Sequence, residues 1–414
     1  MKRVVITGIG VVSPNGLGRK AFKTALLQGK SGVRRISSFD PSELTSQIAA
    51  EVNLNGQSFS KKEERNLPRV SQLSILASVE ALEDAGLDPS ALSEQEKIRS
   101  GVIFGTGGGS VEFMEKHYEM YYGEKSLQPS LYVISASTPG GLSSELSIRF
   151  GFRGKSHVIT TGCTSSSDAI GYAFHEIQAG RLDRVLTGGG DAPIAEGILQ
   201  GFCLMKVLST QWNQEPERAS RPFSKNRDGF VLGEGSWMFV LEEKEQAEKR
   251  GAKIYAEILG YGSSCEAFHA VRLNEDGLGN IQALKLASEE AGLPPEAIDY
   301  VNLHGTSTQL NDRVETQAMK YFFGEKAHVI PMSSTKSMIG HPQGASGAAG
   351  IAATLLCMED SMVHPTINLD EKDEGCDLDY VAHEARKHAM EYVLCNTLGF
   401  GSKCSALIFR KCSR

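Results

Sequence analysis

Three side chains able to do chemistry stand beside glycine in this 414-residue chain. They are Cys163 in Thr161-Gly162-Cys163-Thr164-Ser165, His304 in Leu303-His304-Gly305-Thr306-Ser307-Thr308, and His341 in Lys336-Ser337-Met338-Ile339-Gly340-His341. A cysteine thiolate is a strong nucleophile, and an imidazole can accept or donate a proton near neutrality. Cys163 follows a short apolar run (Val158, Ile159) and a turn at Thr161-Gly162. Ala169, Ile170, Ala173, Phe174 and Ile177 then recur at helical spacing on one face, and Gly180 supplies a stop. The cysteine is therefore expected where a strand gives way to a buried helix. The N–H groups and positive dipole end of that helix would favour the thiolate and could hold an oxyanion. A buried structural cysteine is the competing reading. Small and hydroxyl neighbours (Gly162, Thr164 to Ser167) favour an approachable thiol.

A Cys–His pair alone would suggest proteolysis. Here both histidines lie C-terminal to the cysteine on glycine-rich turns, and no papain- or caspase-type signature surrounds Cys163. No histidine is spaced to chelate a metal with a neighbour. The net charge of -7 argues against nucleic acid or an anionic membrane as main partner, and no stretch approaches the length of a membrane span. Eight cysteines at irregular spacing, with no CxxC pair, read as reduced thiols of a cytoplasmic protein.

The elements that must carry these groups show an internal repeat. A helix from Val70 to Ala85, the segment Ala85-Gly86-Leu87-x-Pro89 and a strand at 101–105 recur as a helix, Ala291-Gly292-Leu293-x-Pro295 and a strand at 300–303. The Cys163 stretch matches Ile339 to Gly347, which opens a small-residue helix running to about Met358. Arg227 to Gly235 before a strand at 237–241 matches Leu394 to Ser402 before a strand at 406–409. Two α/β halves, 1–250 and 251–414, each closed by a β-hairpin, would pack as one layered structure. Cys163 and His341 would then occupy equivalent helix starts facing a shared centre. At the N-terminus a strand is expected over 3–7. The Gly8 to Gly16 segment has neither phosphate-loop spacing and reads as a turn crossing the sheet. Lys61 to Arg69 reads as a charged surface stretch.

These motifs, with Arg221-Pro222-Phe223, Arg227-Asp228-Gly229-Phe230, Asn311-Asp312 and Gly399-Phe400-Gly401, resemble the β-ketoacyl-[acyl carrier protein] synthases over essentially the whole chain. That resemblance implies a thiolase-like fold: duplicated βαβαβαββ halves forming five αβαβα layers. Asp191-Ala192-Pro193-Ile194, Ala219-Ser220-Arg221-Pro222-Phe223 and Cys376-Asp377-Leu378-Asp379-Tyr380-Val381 look most like the catalytic ketosynthase chain of type II polyketide systems. The fatty-acid elongating synthase II is the nearest sister. Thiolases, with a second cysteine near where Cys395 lies, and the non-catalytic chain-length factor stand further off.

The resemblance implies a ping-pong decarboxylative Claisen condensation. Cys163 would take the acyl chain, with the N–H groups of Cys163 and Phe400 as oxyanion hole and Phe400 as gate. Neutral His304 and His341 would stabilise the enolate formed from a malonyl carrier. Lys336 and Glu315 would form an ion pair, either orienting the histidines or purely structural. Thr306 and Thr308 would bind the carrier's phosphopantetheine arm, or serve only as turn residues. Gly108, in Gly107-Gly108-Gly109, and Phe202 would line the acyl pocket, glycine leaving a wide tunnel. Arg65, Arg69 and Lys206 would grip an acidic carrier protein, or form a solvated charged face. No metal and no diffusible cofactor is implied. The expected partners are the acyl carrier protein and a second chain, in a homodimer or a heterodimer with a homologous chain-length factor. Ser402 departs from the family's usual Gly-Phe-Gly-Gly turn.

Overall fold

The computed structural model describes residues 1–54, 56, 59–123 and 129–412. Its frame is a mixed sheet of ten strands in line, with a two-residue strand at Gly16–Leu17 paired to the first. In chain order the ten are β1 (Val4–Ser13), β2 (Ser100–Gly105), β3 (Ser156–Ile159), β4 (Arg184–Asp191), β5 (Gly235–Glu243), β6 (Ala256–Cys265), β7 (Tyr300–Asn302), β8 (Met332–Ser333), β9 (Tyr392–Gly399) and β10 (Lys403–Lys411). Across the sheet they run β8-β7-β9-β10-β6-β1-β5-β4-β2-β3. Reading outward from the β6–β1 seam, both directions give the first, fifth, fourth, second and third strand of a half. The pairings repeat as well: antiparallel, antiparallel, parallel, parallel. Within the sheet the two halves pair through only three residue pairs, Val4, Val5 and Ile6 against Ile258, Glu257 and Ala256, while one buried core runs through both.

The glycines after Thr7 do not form a turn. β1 continues through them to Ser13, and they are there for close packing. A Cβ on Gly8 or Gly10 would lie 2.1 or 1.8 Å from the carbonyl oxygen of Ala81 or Ala77, on helix α2 (Arg69–Asp84). The second half repeats the device. Gly260 and Gly262 of β6 would meet the Ala287 and Ala283 carbonyls at 2.2 and 2.0 Å, on helix α4 (Leu278–Ala291). Alanine facing glycine lets each of these helices sit directly on its sheet. The charged stretch ahead of α2 is itself helical, α1 (Lys61–Asn66), started by a Ser60/Glu63 capping box.

Between the halves lie α3 (Ser165–Gln178) and α7 (Ser346–Glu359), in contact with each other. Every residue of α7 but Glu359 is buried, which is what a helix of small and apolar residues all round requires. Helices α5 (Gln309–Phe323) and α6 (Lys336–Ile339) complete the second half's site-bearing segments. The hairpin expected at each end is tight only in the second half, where β9 and β10 are joined by 400–402. In the first half β4 and β5 pair but are separated by residues 192–234. None of the eight cysteines is paired, and among the described residues no helix is long and apolar enough to cross a membrane.

Candidate active site

Cys163 occupies a single 3-10 turn, Gly162–Thr164, that runs into α3. Ser165 closes the turn, its hydroxyl receiving the Thr161 N–H at 2.9 Å and donating to the Gly162 carbonyl at 2.6 Å. The matching turn in the second half is Gln343–Ala345, followed by Ser346 as Ser165 follows the first. The position equivalent to Cys163 is thus Gly344, and His341 lies ahead of the turn, not at its helix start. Each turn docks on a strand end of the opposite half. The Cys163 turn abuts the end of β9, so closely that a Cβ on Gly399 would lie 3.1 Å from the Cys163 nitrogen. Gly344 gives its N–H to Asp191 at the end of β4, 2.6 Å away.

Cys163 Sγ and one ring nitrogen each of His304 and His341 lie within 4.8 Å of one another, and the two rings stand edge to face at 5.4 Å. All three residues are buried. The hydrogen bonds at the imidazoles settle their tautomers. Lys336 Nζ, which can only donate when charged, lies 3.3 Å from His304 Nδ1. The Gln343 N–H points at His341 Nδ1 from 3.1 Å, with the Ser346 hydroxyl also 3.1 Å from that atom. With both Nδ1 atoms accepting, Nε2–H is the free donor of each ring. Burial, reinforced by the Lys336 charge, holds both histidines well below their usual pKa, hence neutral.

Lys336 and Glu315 do not form the expected ion pair. Among the described residues no Lys336–carboxylate contact falls within the salt-bridge range. Instead they hold the His304 turn from opposite sides. Glu315, on α5, accepts the N–H groups of His304 (2.7 Å) and Gly305 (2.8 Å) and the Asn396 amide (2.7 Å). Lys336 donates to the His304 carbonyl at 2.8 Å. Burial drives the lysine's pKa down and the glutamate's up, yet three donors and no acceptor at Glu315 require a carboxylate there. The motifs around Arg227 and Asp312 have a supporting role that sequence did not reveal. Fully buried Arg227 and Asp312 pair at 3.2 Å, and Asp312 receives the N–H groups of Thr306 (3.0 Å) and Phe223 (2.8 Å).

The expected thiolate is not what the resting site favours. Burial pushes the Cys163 thiol up to about 11, outweighing Lys336 and the N–H groups of Phe400 and Cys163, which point at the sulfur. Alkylation of Cys163 by iodoacetamide should therefore accelerate about tenfold per pH unit between about pH 7 and 10. Peptide mass spectrometry at Cys163 checks this; a plateau near neutrality would show an activated thiolate instead.

A cavity of about 170 Å³ opens over Cys163. His304, His341, Phe400, Thr306 and Thr308 line it, the two threonine hydroxyls 2.9 Å apart. So do Val271, Arg272 and Leu273 from a loop, and Leu310 and Leu398 at the ends of α5 and β9, which sequence reasoning missed because no reactive side chain marks them. Gly108 and Phe202 are not in the lining. Gly108 is exposed beside Asp191, and Phe202 packs edge-on at 5.6 Å against Phe230, which does line the cavity. Arg69 is no docking residue: its guanidinium is committed to buried Glu234 (2.6 and 2.7 Å) and the Val52 carbonyl (2.6 Å). Arg65 and Lys206 are exposed, Lys206 next to cavity-lining Val207. Cys395 faces Thr354 on α7 at 3.6 Å and is absent from the cavity, so no second thiol serves the site.

A thiol facing two imidazole N–H donors, with backbone N–H groups aimed at its sulfur, is an arrangement suited to acyl transfer. Residues 1–247 match the family described as "Beta-ketoacyl synthase, N-terminal domain" and residues 255–370 its C-terminal domain. The chain belongs to the beta-ketoacyl synthase family and is a ketosynthase. It is 40% identical to the tetracenomycin polyketide synthase ketoacyl synthase alpha subunit of Streptomyces glaucescens, covering 99% of this chain and 97% of that one. It is equally 40% identical to 3-oxoacyl-[acyl-carrier-protein] synthase 2 of Vibrio cholerae, covering 99% of both. Among solved structures it is similar to a type II polyketide ketosynthase bound to the hexaketide and in complex with its acyl-carrier protein. That match has TM-score 0.90, 32% identity and full coverage of both chains.

Proposed function

We propose that Cys163, His304 and His341 carry out a decarboxylative condensation that extends a polyketide chain. The observation that carries this is the pair of neutral imidazoles with Nε2–H free beside the sulfur. In the first half-reaction the Cys163 sulfur attacks the acyl thioester carbonyl. The carrier's thiol leaves with the proton Cys163 gives up, and the Cys163 and Phe400 N–H groups hold the oxyanion. A malonyl thioester then enters past Thr306 and Thr308. Its C–CO2 bond breaks, CO2 departs, and the electron pair moves to the thioester oxygen, where the two Nε2–H donors stabilise the enolate. The enolate carbon attacks the acyl–Cys163 carbonyl, the C–S bond breaks to release the Cys163 thiolate, and a proton from solvent returns the thiol.

His304→Ala and His341→Ala should each slow CO2 release from a malonyl carrier about 100–1000-fold, measured alongside acylation of Cys163. Decarboxylation at the normal rate in both variants would sink the assignment. The chain's two sets of relatives stand at the same identity, so the polyketide branch rests on its motifs. Efficient elongation of saturated carriers by this chain alone would place it in fatty acid elongation. The partners are an acyl carrier protein, met by Arg65 and Lys206, and a second chain of the same fold. The halves 1–250 and 251–414 stack as five layers, with α3 and α7 as the middle one. Eight unpaired thiols support a reducing, cytoplasmic setting.

A further inference from the structure

Gln343 combines a left-handed backbone with a side-chain donor that no group in the free protein meets. It follows His341 by two residues and lines the cavity over Cys163. Its φ is +44°, in the left-handed region that disfavours a residue with a side chain. Its amide nitrogen Nε2 is buried with no acceptor, and an unmet buried donor is destabilising. The backbone N–H contact to His341 Nδ1 does not explain the side chain, since any residue but proline would make it. Glycine would take the φ without strain.

The surroundings show what the amide could meet. Gly344, the next residue, gives its N–H to Asp191, which also receives those of Gly107 (2.7 Å) and Gly108 (3.0 Å). Gln343 therefore stands one residue from the contact with the Gly107 to Gly109 turn while itself lining the cavity over Cys163. Val207, Phe230, Leu273, Leu310 and Leu398 make the rest of the lining largely apolar.

We propose that the Gln343 amide donates a hydrogen bond to an oxygen near the thioester of the acyl chain on Cys163, so that the site selects 3-oxoacyl chains over saturated ones. This rests on the ketosynthase reading above. A saturated chain leaves the amide without a partner, as it is in the free protein, whereas a 3-oxo group supplies an acceptor, and sites built this way discriminate strongly.

The test compares butanoyl and 3-oxobutanoyl carrier proteins, following acylation of Cys163 by intact-protein mass spectrometry. The wild type should favour the 3-oxo chain by about 10–100-fold in kcat/KM. Gln343→Leu keeps the volume and the backbone strain but removes the donor, and should bring the two substrates within about twofold. Gln343→Asn keeps an amide and tolerates the left-handed φ, so it should retain the direction of preference; it decides the matter if the leucine variant does not fold. Equal acylation by both chains in the wild type, or an unchanged preference in Gln343→Leu, overturns the inference while leaving the ketosynthase reading intact. Failure of both carriers to acylate wild-type Cys163 would remove the ketosynthase reading as well.

Discussion

Cys163→Ala is expected to lower condensation by about 10⁴-fold or more while CO2 release from a malonyl carrier continues. The two half-reactions use different atoms. Acyl transfer needs the sulfur and the N–H groups of Cys163 and Phe400 aimed at it. Enolate formation needs the His304 and His341 Nε2–H donors, whose tautomers are held by Lys336 and the Gln343 N–H and not by the thiol. Alanine leaves those contacts in place. Following CO2 evolution and product mass in the same reaction separates the steps. Equal loss of both would mean that the sulfur takes part in decarboxylation and that the two half-reactions share their atoms.

Glu315→Ala should cost about 3–5 kcal/mol of folding stability and remove nearly all condensing activity. The carboxylate is fully buried and is the acceptor for three N–H groups, two of them from the His304 turn. Without it those donors are unmet, and buried Lys336 loses the negative charge that supports its own. Denaturation midpoints beside wild type measure the first effect. An unchanged midpoint with normal activity would show that the His304 turn stands without its clamp. His304→Ala, which leaves the clamp in place, separates loss of the ring from loss of its support.

The site's three reactive groups were legible because each is flanked by glycine in a motif, and motif order survives folding. The duplication was legible too, and it correctly predicted a shared centre. It did not reveal which residues of the two turns correspond, because a shift of three positions leaves the apolar pattern nearly the same; the observed turn sets Gly344 against Cys163. Arg69 was misread because its partner Glu234 lies far along the chain, and spacing carries no sign of such a pair. Lys336 and Glu315 were correctly brought to His304 but wrongly to each other, since opposite charges near one turn can hold its backbone as readily as pair. The Cys163 thiol was expected low and is found high. A helix start is visible in sequence, whereas the depth that lets desolvation win is not.

The β1–β6 seam is only three residue pairs long, yet the nucleophile stands on one side of it and both imidazoles on the other. Catalysis therefore acts as a gauge of alignment between the halves. A displacement of about 1 Å at this join can cost on the order of 100-fold in rate without unfolding either side. A substitution along the α3–α7 contact should thus cost turnover as well as stability, since both helices belong to the buried core that spans the halves.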